Sequence, residues 1–119
     1  MVKLDHLALT VQDLIATRDW YGSVLGLEVE FDTGTVAGLK DEAEFTVILS
    51  QDGGLPSQCA LYFQVEDVDV VYKEMANRGV IFRHAPQIND WGYGAGLTDP
   101  DGRLIGLWDE NSMREHDTS

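Results

Sequence analysis

The chain of 119 residues holds one cysteine, Cys59, so no intrachain disulfide can form. A fold stapled by cross-links is excluded, and the usage suits a reducing compartment. Basic residues are scarce: 8 Lys and Arg stand against 21 Asp and Glu, a net charge of −13. Such a field repels phosphate backbones and anionic lipid, so nucleic-acid and membrane partners are not expected. It keeps a protein soluble and also concentrates cationic ligands. No apolar run approaches the roughly 18 residues that span a bilayer. The N-terminal residues enter strand-like sequence without a signal-peptide pattern, so a cytoplasmic location is the expectation. No Gly-rich phosphate cradle, Ser/His/Asp set or Cys/His pair is detectable.

What the chain does have is an internal repeat. Val11-Gln12-Asp13-Leu14 matches Val65-Glu66-Asp67-Val68 at a spacing of 54 positions, and Gly26 matches Gly79 at 53. In the first copy Leu7, Leu9 and Val11 alternate with His6, Ala8 and Thr10, the period of a half-buried strand. Asp13 stands at a helix N-cap, Leu14, Ala16, Trp20, Tyr21, Val24 and Leu25 recur at helical spacing, and Gly26 ends the helix. Strands follow at Glu28–Phe31 and Phe45–Ser50. The second copy repeats the order, with strand residues Leu61, Phe63 and Val65, N-cap Asp67, helical Val68, Val71, Tyr72 and Met75, and a stop at Gly79. Strands are expected at Val80–His84, Ala95–Thr98 and Leu104–Trp108, with a loop or edge over Ala85–Gly94. Asp99-Pro100-Asp101-Gly102 is a turn, Pro100 presetting φ and Gly102 taking the left-handed position. The order β-α-β-β-β, twice, predicts an α+β domain over residues 1–119. Module one covers about 1–52, a linker 53–58, module two 59–109 and a tail 110–119. The polar stretch from Asp109 onward is expected to fray.

These segments resemble the vicinal oxygen chelate superfamily, which includes glyoxalase I, extradiol dioxygenases and bleomycin-binding resistance proteins. The resemblance rests on Leu4-Asp5-His6-Leu7-Ala8-Leu9 with Val11 and Asp13, on Trp20-Tyr21 followed by Val24-Leu25-Gly26-Leu27, and on Asp99-Pro100-Asp101-Gly102-Arg103-Leu104-Ile105. It implies paired βαβββ modules forming a curved, half-open mixed sheet around a cavity, and a homodimer. It also implies a divalent metal held by first-strand and last-strand residues of each module. His6 falls on one such position. The other three carry Ala60, Gly106 and, by a less direct alignment, Ile48, none of which can ligate. One imidazole does not hold zinc or iron, since protein metal sites use three or more side chains. No metal and no other cofactor is therefore expected, although Glu44 shares the parity of Ile48 and could supply a displaced ligand.

Strand parity groups His6, Tyr62, Leu104 and Trp108 on one sheet face, with Trp91 and Tyr93 at its rim. Aromatics on such a face make walls for a planar or apolar ligand. The competing reading puts the same rings in a dimer interface, and for His6 a cross-strand hydrogen bond. Trp20 lies in the helical stripe and reads as core. The expected activity is binding of a small organic molecule, cationic or aromatic, without a metal. A rearranged metal-dependent lyase, isomerase or dioxygenase is the rival, and a pocket kept for protein partners the third reading.

Overall fold

The computed structural model describes residues 4–51, 55–89 and 92–110. The chain divides into two units, between Gln58 and Cys59. The first runs β1 (His6–Thr10), α1 (Leu14–Val24), β2 (Glu28–Asp32), β3 (Val36–Lys40) and β4 (Thr46–Ser50). The second runs β5 (Leu61–Gln64), α2 (Val68–Asn77), β6 (Phe82–Asn89), β7 (Gly92–Thr98) and β8 (Leu104–Trp108). Each unit carries a four-stranded sheet, ordered β1-β4-β3-β2 in one and β5-β8-β7-β6 in the other. In both, the outer first strand is parallel to the last and the remaining pairs are antiparallel. The βαβββ order expected from the repeat is the order found, and the fold is α+β with mixed sheets.

In the first unit Leu9, Ala37, Leu39, Val47 and Leu49 are buried on one sheet face. α1 turns Leu14, Thr17 and Tyr21 toward them. This stripe differs from the expected one: Ala16 is exposed, Trp20 is half-buried, and Thr17 takes a core place. Trp20 packs edge-on against the Tyr21 ring, with centroids 5.3 Å apart. In the second unit Ala95, Leu97, Ile105 and Leu107 form the equivalent face under Val68 and Met75 of α2. Each fully buried Leu or Ile contributes about 1.5–3 kcal/mol over an exposed one, so each unit is held by a small core of its own.

The helix ends follow the same plan twice. Asp13 accepts from the Ala16 amide, and Asp67 accepts from the amides of Asp69 and Val70. A second cap comes from beyond the sheet. The Leu14 amide donates to the Gln51 side chain at 2.8 Å, and the Val68 amide to Asp109 at 2.6 Å. Asp109, expected in a fraying tail, is 1% exposed because a helix amide needs its carboxylate. Residues 111–119 of that tail lie outside the described residues. At the other end of α2, Gly79 has φ 90°, and the Val80 and Gly79 amides donate to Met75 and Ala76. That double bond is the Schellman arrangement, which satisfies two terminal carbonyls.

The strands differ from expectation in the second unit. The stretch expected as a loop or edge carries the edge strand, β6 continuing to Asn89 and β7 starting at Gly92. Pro86 is tolerated because β6 is the sheet edge and its pairing shifts between His84 and Gln87. In the first unit β3 adds a strand that the sequence does not mark, because Ala37 and Gly38 at its centre carry little strand propensity.

Candidate functional site

With the helix on one side of each sheet, the other side is where Tyr62, Leu104, Trp108 and His6 stand. In the second unit Tyr62 pairs in register with Gly106, Gly106 with Gly96, and Gly96 with the neighbourhood of His84. Gln64, Trp108 and Gly94 form the next row on that face. Leu104 belongs to the same parity. Tyr62 is 48% exposed, and Leu104 and Trp108 are half-buried. Three of the six sequence candidates, Tyr62, Leu104 and Trp108, thus share one face of one sheet. His84 covers Gly96: a Cβ there would stand 2.6 Å from the imidazole Nε2. Its Nδ1 donates to the Ala85 carbonyl at 2.9 Å, since a carbonyl oxygen can only accept.

Tyr93 is not on that face. It neighbours Gly94, so strand alternation turns it to the α2 side. There its hydroxyl donates to Asp69 in the first turn of the helix at 2.8 Å. Its pKa is pushed up to about 12, first by burial, then by the hydrogen bond and charge of Asp69 and the charges of Asp109 and Asp67. The expected rim position is therefore replaced by a helix-to-strand tie. Trp91 lies outside the described residues.

His6 belongs to the first sheet rather than to the sheet of Tyr62. Its Nδ1 is 2.9 Å from the Asp5 carboxylate, and its side chain is half exposed. On its face the register aligns His6 with Thr46 and Lys40, and Ala8 with Ile48 and Gly38. Phe31 covers Gly38 as His84 covers Gly96. Sequence reasoning passed over both rings, though the glycine beneath each is the signal that could have found them. It also passed over Glu30, whose carboxylate accepts from the Thr46 hydroxyl at 3.3 Å.

The matching frames allow the metal question to be put to the residues. Ile48 pairs with Ala8 and Gly38, and Gly106 with Tyr62 and Gly96, so the two occupy corresponding places in the two sheets. An alkyl chain, a glycine and the methyl of Ala60 offer no lone pair. Glu44 does not compensate, because it sits in the β3–β4 turn with φ 66°. Among the described residues no group of three or more His, Cys, Asp or Glu is placed to hold a metal ion. The residues present do not fit the metal that the resemblance implies.

The model of the Glyoxalase/Bleomycin resistance protein/Dioxygenase superfamily matches residues 3–107. The chain belongs to this superfamily. Among solved structures, a superfamily member from Sphaerobacter thermophilus is 26% identical with a TM-score of 0.75, covering 92% of this chain and 98% of that one. TnmS3, an antibiotic binding protein from a Streptomyces species, is 24% identical with a TM-score of 0.76, covering 92% and 96%. A possible glyoxalase from Bacillus cereus is 23% identical with a TM-score of 0.72, covering 90% and 98%. None of the curated proteins matches the chain. No helix among the described residues is long and apolar enough to cross a membrane.

Proposed function

We propose that this superfamily member binds a small organic molecule and carries out no metal chemistry. The observation that carries the reading is the pairing of Tyr62 with Gly106. Where the superfamily resemblance calls for a carboxylate there is bare backbone, and beside it stands a half-exposed aromatic ring. Leu104 and Trp108 extend that surface, and the wall it offers suits a planar ligand held by stacking and apolar contact. The likeness to an antibiotic binding protein supports the same reading. The working species is a homodimer, supported by the apolar side chains Val29 and Ile88 exposed on the edge strands β2 and β6.

Fluorescence titration with neutral and cationic fused-ring aromatics tests the proposal. A binder is expected whose affinity falls severalfold in both Tyr62→Ala and Trp108→Ala, as loss of a stacking wall worth about 0.5–1.5 kcal/mol requires. About one equivalent of zinc, nickel or iron in the purified protein, lost in His6→Ala, would replace the binding reading with an enzymatic one. Light scattering at micromolar concentration should give twice the 13.2 kDa chain mass.

A further inference from the structure

Glu30 owes its position to a β-bulge. Val29 pairs with Leu39 and Phe31 with Gly38, two consecutive partners, so Glu30 is an extra residue in β2. In a regular strand Glu30 and Phe31 would point to opposite faces. The bulge re-aims one of them. Phe31 lies over Gly38 so closely that a Cβ there would stand 2.2 Å from its ring. Glu30 reaches past β3 to the Thr46 hydroxyl on β4. Thr46 is the register partner of His6, and Ala8 and Ile48 form the adjoining row. A carboxylate, a benzene ring and an aliphatic floor therefore share the face of the first sheet turned away from α1. This face is accessible: Ala8 and Glu30 are exposed, and Phe31 is 41% exposed.

We infer that this face seats the cationic group of a small organic ligand, with Glu30 as its counter-ion and Phe31, Ile48 and Ala8 receiving the apolar body. The inference rests on the small-molecule reading above and adds a charge class for what the first sheet holds. Charge complementarity favours an organic cation as occupant. Lys40 pairs in register with Glu28, His6 contacts Asp5, Glu30 adds a carboxylate at Thr46, and the whole chain carries −13. The Thr46 hydroxyl holds the carboxylate and Gly38 accommodates the ring, so less side-chain entropy remains to be lost on binding. A cation set between a carboxylate and an aromatic ring gains from both.

Two probes of one shape separate charge from packing: phenethylammonium and neutral 2-phenylethanol. Their affinities would be measured by amide chemical-shift titration of the full chain, with shifts expected at residues of β2, β3 and β4. Glu30→Gln keeps an acceptor for Thr46 and removes the charge. It should weaken phenethylammonium about three- to fivefold, as loss of a solvent-exposed ion pair implies, and leave 2-phenylethanol unchanged. Glu42→Gln, the same charge change at an exposed turn residue, should alter neither. Phe31→Leu should weaken both. Equal effects of Glu30→Gln and Glu42→Gln, or no shift at β2 with phenethylammonium, would overturn the inference. If fused-ring aromatics still lose affinity in Tyr62→Ala and Trp108→Ala, the small-molecule reading survives that failure. If nothing binds in either experiment, both fall.

Discussion

Glu44→Gly is expected to stabilise the protein, and the reason lies in the repeat. Asp41 and Asp99 stand 58 positions apart and begin the same turn. The carboxylate of Asp99 accepts from the amides of Asp101 and Arg103, and that of Asp41 from Ala43 and Phe45. In each turn the Asp carbonyl accepts from the residue three further on, Gly102 or Glu44. Gly102 has φ 84° and Glu44 φ 66°. Both are in the left-handed region, which costs an L side chain roughly 1–2 kcal/mol and glycine almost nothing. Against this, glycine loses more freedom on folding, roughly 0.5–1 kcal/mol.

The balance for Glu44→Gly is a gain of about 0.5–1 kcal/mol, which for a chain of this size raises Tm by about 2–4 °C. No contact is sacrificed that would reverse the sign, because Glu44 is exposed and its backbone bond to Asp41 is kept. Thermal unfolding followed by circular dichroism measures the shift. Glu44→Asn should move Tm the same way by less, since Asn tolerates the left-handed region. Glu44→Gln separates charge from conformation, for it removes the same negative charge and leaves φ as costly as before. If Gln raises Tm as much as Gly, relief of charge repulsion is the cause and the conformational argument is refuted.

Arg103→Ala should destabilise by about 3–5 kcal/mol in chemical denaturation, because it strands the buried Asp99 carboxylate that its guanidinium pairs with. Thr17→Val should stabilise by about 1 kcal/mol, since the Thr17 hydroxyl is buried and makes no hydrogen bond. Tyr93 holds its proton more tightly in the folded chain, so its stabilising effect is complete below pH 10 and is lost as pH rises toward about 12. Tyr93→Phe should flatten that alkaline decline, as read by denaturant midpoints across the same range. Asp32 is shifted the other way, below the usual carboxylate value, by the Gly34 amide and then by Arg18. Its effect is present above pH 3.8 and fades as pH falls below it, so Asp32→Asn should reduce the acid sensitivity of the first unit.

The frame of this protein was legible in its sequence because packing constrains it locally. Leu9, Val47, Leu49, Ile105 and Leu107 must alternate to reach a helix, and Asp13 and Asp67 must precede it. Those rules act at short range, so each copy of the repeat announced its first strand, its helix with the cap, and its last strand, but not β3. The faces turned away from the helices obey no such rule. Nothing in Glu28-Val29-Glu30-Phe31 marks a bulge, and plain alternation would set Glu30 against Phe31 where the structure puts them on one face. Tyr93 was misplaced for a different reason. With Ala85–Gly94 left as a loop or edge, no alternation was carried back from buried Ala95, and it is that alternation which turns Tyr93 toward α2. The two outward faces have diverged within an unchanged frame. Phe31 stands over Gly38 where His84 stands over Gly96, and Ala8 occupies the register place of Tyr62. Because those positions bear little of the folding energy, substitution there alters what the protein can hold without altering how it folds. Ile48 and Gly106, which offer no donor to a metal, stand in the same way on strands whose buried side follows the common plan.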